Sequence, residues 1–337
     1  MTDVTVAICT YRRADLLPQT LRSFAAMRRP ADTAWDLLIV DNACDPRVER
    51  VVADFADELP VRYAAEPQVG IARARNRAVA SVTAPIILFA DDDVTFDPDW
   101  LVNMARSFRA HGECSFWGGR IEPTWQTPRP AWFDTDACPM LADAIVTYDA
   151  GPTPRPWDPK RDAPFYTCSL ALRVEAIRRA GLFNVALGHI GQKRGGGEDS
   201  WMVRAVAQAG GRGWYAADAV LHHPVPADRM TRRFARRFAW YQGRVSVDML
   251  LRQEVQAGRP ARPPRWLYRR AGEDFLKGVG QGLAGVARRR PGLRFAGQFR
   301  MLYGLSKFWH ALRHRPEDLT AQPSAREQTA PTGNSHG

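Results

Sequence analysis

Residues 86–94 read IILFADDDV. The stretch 86–89 is a short, uninterrupted apolar run, and three adjacent carboxylates, Asp91, Asp92 and Asp93, follow it almost at once. Such a run bounded by polar residues predicts a strand buried on both faces. Working outward, the same kind of run recurs at 4–9 (VTVAIC) and 37–40 (LLIV), and 61–64 reads as extended. Between these runs, 14–27 places Leu17, Leu21 and Phe24 at helical spacing, and 47–55 and 71–81 also read as helices. Short buried strands alternating with helices predict an α/β domain around a mostly parallel, Rossmann-like sheet. Open sheets of that kind bind ligands beyond the carboxyl ends of their strands. Here those ends carry residues 10–13, Asp41 with Asn42, and Asp91 to Asp93, so three polar clusters are expected along one edge.

Three neighbouring carboxylates repel one another unless a cation or hydrogen-bond donors neutralise them. Their hard oxygens suit Mg²⁺ or Mn²⁺ held jointly with substrate phosphates. An acidic turn or a helix cap ahead of Pro98 would produce the same letters, and the strand in front of them favours the metal.

The 337 residues suffice for one large domain or a domain with an appendage, and 45% hydrophobic with 25% charged residues is ordinary globular composition. Five scattered cysteines without a CxxC pair argue against a zinc ribbon and a complete disulfide framework. No apolar run approaches the roughly 20 residues that span a bilayer. The opening MTDVTVAICTYRR has no charged-then-apolar leader pattern, so a cytoplasmic location is expected. The net charge of +11 is uneven: from His222 onward there are 22 Lys and Arg against 8 Asp and Glu, while the rest carries 25 against 28. That basic third predicts either a solvated face or contact with an anionic partner, including peripheral contact with the inner face of the cell membrane.

Residues 123–164, rich in Pro, Trp and Asp, read as a long irregular excursion. Trp117, Trp125, Trp132 and Trp157 are single aromatics, better suited to packing than to stacking on sugar rings. An apolar pattern returns at 165–172, and a helix follows at 174–180. A flexible glycine run at 195–197 precedes a helix at 198–209 headed by Glu198 and Asp199, where a helix dipole favours acids. Beyond Pro226 the sequence is basic and helical. In 293–312, Phe295, Phe299, Leu302, Leu305, Trp309 and Leu312 fall on one helical face, with Arg300 and Lys307 on another. That pattern serves internal packing or a membrane interface. The polar end, 317–337, predicts disorder.

Taken in order, VAICTYRR, LLIVDN, GIARARNRAV and IILFADDDV are followed by CSLALRVEAIRRAGLFNVALG, GGGEDSWMVRAVAQAG and LHHPVPADRMTRRFARRFAWYQGRVS. Their order and spacing resemble the signatures of glycosyltransferase family 2, with its GT-A fold. The resemblance covers residues 4–247 and implies a GT-A domain over 1–247, with a nucleotide-sugar-binding half (1–120) and an acceptor and catalytic half (121–247). A basic helical extension at 248–316 would follow. The resemblance further implies that Asp41 recognises the donor's base. Asp91 and Asp93 would form a DXD motif for metal, diphosphate and ribose, with Asp93 the direct ligand. Asp199, beside Glu198, would be the base at the acceptor. Ala90 departs from the pattern where relatives often carry Asp, which leaves the DXD itself intact. Thr10, Tyr11, Arg13 and Asp92 are expected around the donor, and Arg75 and Asn76 lie in an ARN segment that resembles a donor-contacting helix. Arg229, Arg233, Arg236 and Arg237 include a candidate diphosphate clamp. Two histidines compete for the position facing the diphosphate: His222 begins HHPVPADR and His223 begins HPVPADR. The metal role is assigned to His222.

The chemistry suits these residue types. Glycosyl transfer passes through an oxocarbenium-like transition state. A departing nucleoside diphosphate needs a cation, and an acceptor hydroxyl needs a base. The expectation is an inverting enzyme, dependent on Mn²⁺ or Mg²⁺, that moves a sugar from a nucleotide-diphospho-sugar to a hydroxyl of a glycan, a lipid-linked sugar or a small molecule. A nucleic-acid-binding protein would spread basic residues and aromatics through a recognition module. The acidic and histidine clusters instead lie away from the basic third, so no nucleic-acid partner is expected. A sugar-nucleotide-binding module without activity would be expected to lack the base that Asp199 offers. A nucleotidyltransferase leaves the GGGED and HHPVP segments unexplained.

Overall fold

The computed structural model describes residues 2–191 and 195–314. The segment 317–337, expected to be disordered, lies outside the described residues. The chain opens with β1 (Val4–Thr10), α1 (Leu17–Ala25), β2 (Trp35–Asp41), α2 (Pro46–Asp54), β3 (Val61–Ala65), α3 (Ile71–Ala80) and β4 (Ile86–Asp91). Each strand runs one or two residues further at its carboxyl end than its apolar run, because ladder hydrogen bonds are made by the backbone whatever the side chain. Thr10 thus pairs with Asp41, and Cys9 with Asp91. The four strands are parallel in the order β3-β2-β1-β4. Val6, Ile8, Leu38, Ile39 and Leu88 are wholly buried in them, as a sheet covered on both faces requires. α1 buries Leu17, Leu21 and Phe24, the face anticipated from their spacing.

The next elements are β5 (Thr95–Phe96), α4 (Trp100–Ala110), β6 (Phe116–Trp125), α5 (Met140–Ile145), β7 (Arg155–Pro156), β8 (Ser169–Arg173), α6 (Val174–Arg179), α7 (Glu198–Gln208) and β9 (Gly213–Val225). β8 joins β4 antiparallel, and β6 joins β8 antiparallel. The result is a mixed nine-stranded sheet in the order β3-β2-β1-β4-β8-β6-β9-β5, with β7 pairing β9. This is the α/β architecture anticipated, with the parallel half first.

The chain forms two compact units. The first comprises Met1–Glu122 and Tyr148–His223, and the second comprises Pro123–Thr147 and the helices after Pro224. The units are discontinuous in sequence and so cut across a linear division at 247. The second unit holds α5, α8 (Arg232–Gln256), α9 (Arg265–Ala287) and α10 (Pro291–Arg313). Its core gathers Trp132, Phe133, Leu141, Ala235, Ala239, Phe295 and Phe299. α9 and α10 pack as a close antiparallel hairpin. A Cβ on Gly278 would stand 2.7 Å from the Met301 nitrogen and 2.8 Å from the Gly297 oxygen, so only glycine lets the backbones approach this far.

The single apolar face read over 293–312 is split. Phe295 and Phe299 belong to the core, whereas Leu305, Trp309 and Leu312 are exposed. Lys307 is not on a polar face but buried, with its ammonium 2.9 Å from Asp274. The first turns of α10 pack on Trp132, and the last turns meet solvent. Trp117 and Trp157 are buried in the first unit, Trp132 is buried in the second, and Trp125 packs against that second core. All four serve packing.

Candidate active site

The residues expected at the donor and acceptor lie in the first unit, while Arg229, Arg233, Arg236 and Arg237 lie in the second. β1, β2 and β4 deliver Thr10, Asp41 and Asp91 to one level, because parallel pairing aligns their carboxyl ends. Immediately beyond β4, Asp92 is buried. Its carboxylate accepts from Thr10 Oγ1 at 2.7 Å and from Arg13 Nη1 at 2.8 Å, and its carbonyl accepts from Thr20 Oγ1 at 2.8 Å. Asp92 is therefore an anchor for the turn, and its neighbours Asp91 and Asp93 are the ones left to share a cluster with His223. Arg13 also donates to Asp93 at 2.8 Å, so one guanidinium offsets two of the three charges.

Burial pushes the Asp91 carboxyl up to about 7, reinforced by Asp93 and Asp92 and opposed by Arg75 and Arg13. The same desolvation raises Asp92, against the pull of Arg13 and Thr10. A cluster this acidic and this dry is the kind of donor set that a hard divalent cation neutralises.

The imidazole beside these carboxylates belongs to His223, not to His222. Single ligand atoms of Asp91, Asp93 and His223 all lie within 4.8 Å of one another, and His223 Nε2 is 4.0 Å from Asp93 Oδ1. Alternation along β9 decides the matter. His223 is buried, whereas His222 pairs across to Thr95 and turns its Nδ1 to within 3.9 Å of Glu122. Adjacent strand residues point to opposite faces, so only one of the pair can face the cluster. The two carboxylates suit Mn²⁺ or Mg²⁺, and the imidazole stands within reach of the same ion.

Asp41 is fully buried. Its oxygens accept from the Ala43 nitrogen at 2.8 Å and the Asp45 nitrogen at 2.6 Å, and from the Tyr63 hydroxyl at 3.2 Å. Next to it, Asn42 ties a second loop. Its Nδ2 donates to the carbonyls of Glu66 and Gln68, each at 2.9 Å, and its Oδ1 accepts from the Gly70 nitrogen at 2.7 Å. Sequence reading placed Asn42 on this edge without a role, because its partners sit 24 to 28 residues away. Tyr11 lies on the turn after β1, with the Arg12 guanidinium 5.3 Å above its ring.

α3 brings Arg75 and Asn76 to different tasks. Arg75 is buried and donates from Nη1 to Glu198 Oε1 at 2.7 Å. Its charge is also felt by Asp91 and Asp199. Asn76 turns its amide to the chain's own backbone. Nδ2 donates to the Phe183 carbonyl at 2.9 Å, and Oδ1 accepts from the Phe183 nitrogen at 2.8 Å. This closes a clamp on the loop before α7.

Glu198 and Asp199 open α7. Glu198 is buried, and its Oε2 has no hydrogen-bond partner among the described residues. Burial pushes Asp199 up to about 7, reinforced by Glu198 and opposed by Arg75. Two of the three glycines before them meet a backbone constraint. A Cβ on Gly195 would stand 1.5 Å from the Gly188 carbonyl oxygen, and Gly197 caps the helix at φ 86°.

A parallel half-sheet ending in an acidic and histidine cluster, with a second acidic pair at the head of α7, is the architecture of a GT-A glycosyltransferase. The sequence profile described as "Glycosyl transferase family 2" matches residues 5–178, about half of the chain, and the chain belongs to that family. It is 29% identical over 229 residues to the succinoglycan biosynthesis protein ExoM of Rhizobium meliloti, covering 67% of this chain and 68% of the relative. It is 26% identical over 133 residues to a glucosyl-dolichyl phosphate glucuronosyltransferase of Haloferax volcanii, covering 39% of this chain and 42% of the relative. Among solved structures, the mannosyltransferase PcManGT of Pyrobaculum calidifontis, in complex with GDP-Man and Mn²⁺, superposes with a TM-score of 0.58 at 20% identity, covering 92% of this chain and 87% of that one. The protein is an enzyme, a glycosyltransferase.

Proposed function

We propose that this chain catalyses metal-dependent, inverting transfer of a sugar from a nucleotide-diphospho-sugar to an acceptor hydroxyl. The observation that carries the reading is the convergence of Asp91, Asp93 and His223, beside which the buried Arg75 is ion-paired with Glu198 at the head of α7 and feels the charge of Asp91. Mn²⁺ or Mg²⁺ held by Asp91, Asp93 and His223 would neutralise charge on the departing diphosphate. Asp92 and Arg13 keep the turn that presents those ligands. Asp199 takes the proton from the acceptor hydroxyl. The freed oxygen bonds to the anomeric carbon as the bond to the diphosphate oxygen breaks, and a single displacement of this kind inverts configuration. Glu198 keeps Asp199 beside the acceptor through its tie to Arg75.

The relative's part in succinoglycan biosynthesis supports a growing glycan as acceptor. The name of the archaeal relative supports a lipid-linked one. A seat at the membrane through the basic helices belongs to this reading, on the strength of their excess of Lys and Arg. The test is a panel of nucleotide sugars assayed for transfer and hydrolysis with Mn²⁺ or Mg²⁺, with the product anomer read by NMR. Retention of configuration would overturn the single displacement, and no turnover of any donor would overturn the reading.

A further inference from the structure

Twelve large apolar side chains are exposed among the described residues, and ten of them sit on α8, α9 and α10. Scattered exposed apolar groups need no explanation, but a concentration on one unit does. At the end of α10, Leu305, Phe308, Trp309 and Leu312 follow the spacing that puts residues on one helical face. The first turns of α9 flank this stripe: Tyr268 has its ring 5.6 Å from Phe308 and donates its hydroxyl to the Ala311 carbonyl. On the outer side of α9, Leu276 and Leu283 are 69% and 66% exposed, two helical turns apart.

Cations are interleaved with these groups. Arg313 lies 3.7 Å over the Trp309 ring, and Arg270 lies 4.9 Å over Trp266. Arg265 and Arg269 are exposed nearby, and Arg288, Arg289 and Arg290 form the turn between α9 and α10. From Pro224 to His314 there are 20 Lys and Arg against 5 Asp and Glu. A second copy of this chain would bring like charge onto like charge. A nucleic acid would satisfy the arginines but leave the leucines in water. An anionic bilayer satisfies both, with phosphates for the arginines, the acyl boundary for the leucines and the interface for tryptophan.

We propose that α9 and α10 dock the chain onto a membrane rich in anionic lipid, with Leu305, Phe308, Trp309 and Leu312 entering the interface and the surrounding arginines on headgroup phosphates. The proposal rests on the membrane part of the proposed function and names its surface and lipid class.

The test is flotation of the full chain with vesicles of phosphatidylcholine, alone or mixed with phosphatidylglycerol. Binding is expected only to the mixed vesicles. It should weaken as ionic strength rises from about 0.1 M to about 1 M, where screening shortens from about 10 Å to about 3 Å. The exposed-site variants Leu305→Glu with Leu312→Glu, and Leu276→Glu with Leu283→Glu, should keep wild-type melting curves and donor hydrolysis. The first pair should lose at least about tenfold in partitioning. Equal binding to neutral vesicles, no binding to either, or undiminished binding by the first pair would overturn the proposal. So would a wild-type dimer in light scattering that the first pair dissociates, because a second copy would then cover the stripe. Donor hydrolysis without vesicles separates the two readings: turnover without flotation removes only the membrane seat, and flotation without turnover removes only the proposed chemistry.

Discussion

Arg75 reaches across 123 positions of sequence to place its guanidinium 2.7 Å from the Glu198 carboxylate, and both side chains are buried. One ion pair thereby joins the helix after β3 to the helix that carries the expected base. Breaking a buried pair leaves an uncompensated charge, which costs about 3–5 kcal/mol. Glu198→Gln and Arg75→Met should each lower unfolding free energy by that order in urea titration. The double replacement should recover a good part of the loss. Additive losses in the double variant would mean the two groups do not act as a pair.

Asp199→Asn keeps the shape of the base and removes its charge. The turnover number should fall about 10²–10⁴-fold, while the donor dissociation constant, measured by calorimetry, stays near wild type. Turnover close to wild type would remove Asp199 from the role of base.

The pH dependence follows from the same residue. A base works when ionised, and burial with Glu198 nearby raises Asp199 from 3.8 to about 7. The ratio kcat/KM should therefore climb about tenfold per pH unit below that value and level off above it. The sign for stability is opposite. A carboxyl raised in the folded state contributes stability below its unfolded pKa, and that contribution is lost as pH rises through about 7. A rate profile flat from about pH 5 to about pH 8 would contradict the assignment.

Chelation should abolish transfer, and Mn²⁺ or Mg²⁺ should restore it. His223→Ala and Asp93→Ala should weaken metal binding by at least about tenfold in calorimetric titration, whereas His222→Ala should stay near wild type. A reversal of the two histidine variants would restore His222 to the site.

Asn76→Ala removes both hydrogen bonds to the Phe183 backbone. It should lower stability by about 1–3 kcal/mol and leave donor affinity within a few-fold of wild type. A large loss of donor affinity in a stably folded variant would mean that Asn76 does contact the donor.

The local sequence by itself determined the first half of the fold. Short apolar runs alternating with amphipathic helices admit few arrangements other than a parallel sheet, and parallel strands bring their carboxyl ends together. Thr10, Asp41 and Asp91 are thus legible as neighbours from the sequence alone. The acidic pair at the head of α7 was legible for a similar reason, since a glycine run before a helix start is a local signal. Only the tertiary structure decided which members of each cluster face outward. Asp92 turns inward because Thr10 and Arg13, about eighty residues earlier, receive it. His223 rather than His222 meets the aspartates because strand pairing sets the phase of β9, and the spacing of two adjacent histidines carries no phase. Arg75 and Asn76 differ by one position on a helix, yet one meets Glu198 and the other the Phe183 backbone. The apolar face of α10 divides where its packing partners end, so Phe295 is core and Leu312 is surface. Periodicity reports which side chains share a face, and the partner that covers the face is supplied by chain segments far away in sequence.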